Sequence, residues 1–115
     1  DTLTINELSR KAYANAKAHG FWEDWDQIDS LPPEFDKERL RDSAISTRLL
    51  LIIREVTEAL EALRRGDRPG FREEIADTFL RLGDLCGGLG INIELEIQRK
   101  MRLNESRPYK HGKRF

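Results

Sequence analysis

Between Leu49 and Cys86 two apolar periods of helical spacing are separated by only Gly66-Asp67-Arg68-Pro69-Gly70. In the first, Leu49, Ile52, Ile53, Val56, Ala59, Leu60 and Leu63 fall within about a third of a helix circumference at ~100° per residue. In the second, Phe71, Ile75, Phe79, Leu82 and Cys86 recur at the same period. Gly66 suits the position just beyond a helix end. Asp67, or the Arg68-Pro69-Gly70 segment, opens the next helix. A connection this short forces two antiparallel helices to pack edge to edge.

The rest of the chain follows the same grammar. Thr4-Ile5-Asn6-Glu7 has the form of a capping box, and Ile5, Leu8, Ala12, Ala16 and His19 continue at helical spacing until Gly20. Phe21 to Pro33, aromatic, acidic and closed by Pro32-Pro33, reads as a loop. Its Trp22 and Trp25 either anchor it on the core or offer a stacking surface to a ligand ring. Helix returns between Glu34 and Ala44. Gly87-Gly88-Leu89-Gly90 reads as the stop of the helix through Cys86, and Asn92 as the N-cap of a last helix running to about Ser106. No strand pattern competes. The expected fold class is all-α, four main helices in one domain spanning residues 1–115, the size for one modest core.

The two central helices carry Glu55-Val56-Thr57-Glu58 and Glu74-Ile75-Ala76-Asp77. With Ile52 at zero, Glu55 lies at ~300° and Glu58 at ~240°, while the apolar stripe centres near ~40°. With Ile75 at zero, Glu74 lies at ~260° and Asp77 at ~200°. Each acidic pair starts at the border of an apolar face, so antiparallel packing can bring the pairs together across a groove. Carboxylates so gathered repel unless neutralised. Oxygen donors without His or Cys suit Mg²⁺ or Mn²⁺. The plain alternative is a solvated acidic face. Asp84, one heptad after Asp77, can support the cluster from behind, whereas Glu61 and Glu73 rotate away. Di-iron bundles need Glu-x-x-His, and neither His19 nor His111 stands three residues after a Glu. No Gly-rich phosphate loop is present, and no Cys–His or Ser–His–Asp arrangement is suggested. The single cysteine, Cys86, excludes an internal disulfide and reads as a buried small residue.

The net charge of -1 names no partner, but its distribution is uneven. From Arg99 to Phe115 seven Lys/Arg face one acid, Glu105, leaving the remainder of the chain acidic. On the last helix Lys100 and Asn104 fall in line with Ile93 and Ile97, where a lysine should snorkel or meet an anion. Arg107, Tyr109, Lys110 and Lys113 follow. This segment is either a frayed basic tail or a clamp for phosphates beside the metal. No apolar run is long enough to cross a membrane, and no signal-peptide pattern is visible, so the expected location is cytoplasmic.

In combination these motifs resemble the MazG-like branch of the all-α nucleoside triphosphate pyrophosphohydrolases. The resemblance rests on Glu55-x-x-Glu58, fifteen residues, then Glu74-x-x-Asp77, with Lys100-x-x-x-Asn104, the ending Arg107 to Lys113, and the His19 to Asp24 segment "HGFWED". The stretch from Trp25 to Ser46 is longer than in compact members. The resemblance implies a four-helix MazG-like bundle completed as a homodimer or homotetramer. It implies Mg²⁺ on Glu55, Glu58, Glu74 and Asp77, with Mn²⁺ as a substitute, and hydrolysis of a (deoxy)nucleoside triphosphate to the monophosphate and pyrophosphate. Glu58 would be the general base, Lys100, Asn104, Arg107, Tyr109 and Lys110 would hold the phosphates, and Trp22 would contact the base. The implied role is nucleotide housecleaning. The rival is a non-catalytic helical interaction module with a basic nucleic-acid-binding tail; under the enzyme reading neither nucleic acid nor a membrane is the expected partner.

Overall fold

In the computed structural model, which describes residues 2–115, Thr4 caps α1 (Ile5–Ala18) by accepting from the Glu7 amide at 3.1 Å. Only half of the expected reciprocal box forms, because the Thr4 hydroxyl also donates to the Glu7 carboxylate. The remaining elements are α2 (Glu23–Asp29), α3 (Lys37–Arg64), α4 (Arg68–Leu89), α5 (Ile93–Glu105) and a short 3₁₀ turn at Tyr109–Gly112. The fold is all-α, with no strand among the described residues. No helix of the described residues is long and apolar enough to cross a membrane.

The α3–α4 connection is built as its residues require. Gly66 at φ 74° lets the chain reverse, with Gly66 N–H bonding Leu63 O and Asp67 N–H bonding Ala62 O. This pair of bonds satisfies the last carbonyls of α3, and the left-handed φ favours glycine. Asp67 then caps α4 through the Gly70 amide at 3.0 Å, with Pro69 in the first turn. Asp36 and Asn92 cap α3 and α5 in the same way.

Three expectations are corrected. Phe21 to Pro33 is not wholly loop: α2 occupies Glu23–Asp29, so the main helices number five rather than four. Three acids in its first turn favour a helix start, and Arg48 holds it down. The Arg48 guanidinium donates to both Asp24 oxygens and to the Phe21 and Ala44 carbonyls, 2.8–3.1 Å. It also lies 4.0 Å from the Trp22 ring centroid.

Secondly, Gly87-Gly88 does not stop α4, which continues to Leu89. These glycines let neighbours approach. A Cβ on Gly88 would strike the Trp22 ring, one on Gly87 would reach Tyr13 Cβ at 2.6 Å, and one on Gly83 would meet Leu8. The Ser9 hydroxyl, itself buried, donates to the Gly83 carbonyl at 2.6 Å in the same crossing of α1 and α4.

Thirdly, the stripe on α3 is not buried as a unit. Ile52, Glu55, Ala59 and Ala62 face inward, while Leu49, Ile53, Val56, Leu60 and Leu63 remain 43–59% exposed. The buried face is therefore rotated by roughly 80° from the centre of the apolar stripe, toward the acids. The helix buries its small side chains against α4 and turns its large ones outward. On α4 the expected line is buried only at Cys86, beside Gly83 and Leu85; Ile75, Phe79 and Leu82 stay open. The radius of gyration, 17.3 Å, exceeds the ~13–14 Å of a compact domain of this length.

Candidate metal centre

The rotation of α3 carries Glu55 into the α3–α4 interface, where it is 8% exposed. Glu58 follows one turn later, half-buried, and Glu74 reaches across from α4. Each of these three residues offers an oxygen within 4.8 Å of the other two. Asp77 is exposed and outside that trio, lining the neighbouring cavity with Glu55 and Asp84. Three of the four acids singled out in the sequence thus converge, and the fourth flanks them.

The electrostatics of the trio are uneven. Arg81 on α4 donates through Nε to Glu55 Oε1 at 2.8 Å, and Arg54 donates to Glu58 at 3.1 Å. No ion pair among the described residues serves Glu74. Its Oε2 is buried without a hydrogen-bond partner. Its carboxyl is pushed up to about 7, first by the hydrogen bond shared with Glu55, then by burial and by the charges of Glu58, Glu55 and Asp77. For Glu55, burial opposes ionisation, but the hydrogen bond from Glu74 and the Arg81 guanidinium outweigh it and the carboxyl is held below its ordinary range. Ionising Glu74 is thus opposed by its neighbours, as for close carboxyls that no cation separates. An all-oxygen donor set with an orphaned buried oxygen fits a hard divalent cation such as Mg²⁺ or Mn²⁺.

Beside the trio a cavity of about 410 Å³ runs between α1, α3 and α4, lined in part by Asn15, Phe21, Glu55, Asp77, Arg81 and Asp84. Phe21 is 70% exposed. On the other side of the trio, Glu58 and Glu74 also line a smaller hollow at the α3–α4 turn with Glu61, Asp67 and Glu73.

Trp22 does not present a stacking surface. It is 2% exposed, its indole nitrogen donates to Asp84 Oδ1 at 2.8 Å, and Tyr13, Trp25 and Arg48 pack around its ring. Asp84 serves as its anchor rather than as a support for the acids. Burial pushes the Asp84 carboxyl up, against the indole bond and the Arg48 and Arg81 charges.

Lys100 and Asn104 do not face inward either. The start of α5 docks on α1 through Asn6, which bonds Glu94 and Asn92. Beyond it Ile97 is 37% exposed, and Lys100, Asn104, Arg107, Tyr109 and Lys110 are all exposed. Beyond Ile93 the line Ile97–Lys100–Asn104 is left exposed by the helices of its own chain. The tail's contacts include Arg107 with His111 at 3.4 Å and Lys110 over the Tyr109 ring; no ion pair of the described residues joins it to the acidic trio. The residue sequence reasoning missed is Arg81. Its signal was a lone cation in an apolar run, one helical turn after Asp77.

No family model, curated protein or solved structure matches the chain.

Proposed function

We propose that this chain is a Mg²⁺-dependent nucleoside triphosphate pyrophosphohydrolase, acting in nucleotide housecleaning. The observation that carries the reading is the convergence of Glu55, Glu58 and Glu74 from two helices, with one buried oxygen of Glu74 unpartnered. A solvated acidic face has no need to bury a carboxylate between helices. The motif resemblance to the MazG-like family supplies the reaction class.

Glu55, Glu58 and Glu74 would hold the cation, with Asp77 beside them. When bound, Mg²⁺ supplies charge neutralisation for the phosphates and polarisation of water. Glu58, which Arg81 does not engage, accepts the proton of the attacking water. Water adds to the α-phosphorus, the bond to the bridging oxygen breaks, and pyrophosphate leaves. The nucleoside would lie in the cavity lined by Asn15 and Phe21, since Trp22 has no free face. Lys100, Asn104, Arg107, Tyr109 and Lys110 would serve a site across a homodimer or homotetramer, whose pairing would cover the open α3 stripe and complete the four-helix bundle. Pyrophosphate release from a nucleotide panel with and without Mg²⁺ tests the reading.

A second reading is favoured by one observation: among the described residues no ion pair joins the basic tail to the acidic trio. A non-catalytic helical module would use that tail for nucleic acid. Deleting Arg107–Phe115 would then abolish nucleic-acid binding, while the full chain would release no pyrophosphate.

A further inference from the structure

The lining of the larger cavity holds two guanidinium groups, and they differ in what remains free. Arg48 is fully committed: its side chain is 14% exposed and its nitrogens serve Asp24 and the Phe21 and Ala44 carbonyls. Arg81 is 45% exposed and bonds Glu55 through Nε alone, leaving its two terminal nitrogens without a partner among the described residues. The lining also carries Asp24, Glu55, Asp77 and Asp84. A triphosphate entering such a cavity is repelled unless donors meet it there, and no residue of the basic tail is part of the lining.

We propose that Arg81 is a phosphate-binding residue of this site, resting on the pyrophosphohydrolase reading above. Its Nε stays on Glu55, which fixes the plane of the guanidinium. Arg81 lines the cavity that opens beside the acidic trio, and its Nη pair is left over to meet a ligand there. A guanidinium held by one edge and open at the other suits bidentate recognition of phosphate oxygens, which an ammonium cannot reproduce. The same residue thereby neutralises a buried carboxylate before substrate arrives and selects a polyphosphate over a monophosphate afterwards.

Calorimetric binding separates this role from that of a plain counter-ion. The probes are α,β-imido analogues of the common deoxynucleoside triphosphates, and the corresponding monophosphates, in Mg²⁺. Arg81→Gln is expected to weaken triphosphate binding by about tenfold to a hundredfold, the loss of a charge-assisted bond pair, and monophosphate binding by no more than about threefold. Arg81→Lys keeps the charge beside Glu55 and is expected to fall between the two. Triphosphate affinity within about twofold of wild type in folded Arg81→Gln overturns the proposal. Should that variant not fold, wild-type affinity in Arg81→Lys overturns it. Wild-type protein that hydrolyses triphosphates, with an unaffected Arg81→Gln, removes only the role of Arg81. Wild-type protein that binds no triphosphate removes the pyrophosphohydrolase reading, and this role with it.

Discussion

The indole nitrogen of Trp22 donates to Asp84 at 2.8 Å, tying the segment between α1 and α2 to the C-terminal half of α4. The bond fixes an aromatic cluster in which Tyr13 and Trp25 meet the Trp22 ring edge-on, 5.3 and 5.5 Å away. It also places Asp84 and Arg48 along the cavity beside the acidic trio. Trp22→Ala should therefore lower unfolding free energy by about 3–5 kcal/mol in denaturant titration, the range for a large core aromatic. Trp22→Phe should cost less, by leaving Asp84 without its donor. An unchanged denaturation midpoint in Trp22→Ala would contradict its place as an anchor.

The close approach at Gly88 makes a second stability prediction. A methyl group there meets the rigid Trp22 ring. Gly88→Ala should destabilise by about 1–3 kcal/mol, although alanine is the better helix former. A rise in melting temperature would show that the ring yields freely.

Glu74 predicts how stability follows pH in metal-free protein. Its carboxyl lies at about 7 against an ordinary value of 4.5. The folded state therefore holds a proton that the unfolded state has released. This contribution is fully present below the unfolded value and is lost as pH rises through about 7. Melting temperature should fall across that window, and Glu74→Gln should flatten the fall. Glu55, held below its ordinary range, acts in the opposite sense at lower pH. Saturating Mg²⁺ should raise the melting temperature more at pH ~8 than at pH ~5.5, because proton and cation compete for the same oxygens. Equal Mg²⁺ effects at both pH values would argue against Glu74 as a ligand.

The open α3 stripe predicts self-association. Leu49, Ile53, Val56, Leu60 and Leu63 alternate at spacings of four and three, all exposed, the seam of paired helices. Sedimentation should show a dimer or tetramer. Ile53→Glu should weaken assembly by at least about tenfold, since it places a charge in an apolar contact. A wild-type monomer at high concentration would contradict the assembled form.

The helices were legible where a local rule decides them. Thr4, Asp67 and Asn92 mark starts by their side-chain caps, and Gly66 marks an end by its φ. The convergence of Glu55, Glu58 and Glu74 was legible because acids bordering apolar faces on antiparallel helices must come near one another. What stayed hidden depends on which face tertiary packing selects. The wheel of α3 places the large apolar residues inward, yet the chain packs Ile52, Ala59 and Ala62 there and buries Glu55 with them. Gly87 and Gly88 look like a helix stop until Tyr13 and Trp22 are seen against them. Lys100 and Asn104 share a face with Ile93 and Ile97, but no wheel reveals that the other helices leave that face of α5 exposed beyond Leu95. Arg81 gains its meaning only from Glu55, on another helix.

Pyrophosphate release from a panel of (deoxy)nucleoside triphosphates, with Mg²⁺ and with chelator, tests the central claim most directly. At least one triphosphate should give the monophosphate and pyrophosphate in equal amounts with Mg²⁺, and none with chelator. Glu58→Gln should reduce that turnover by at least about a hundredfold while keeping the fold, as expected for loss of a general base. No Mg²⁺-dependent release from any nucleotide would contradict the assignment of Glu55, Glu58 and Glu74 to a catalytic metal centre.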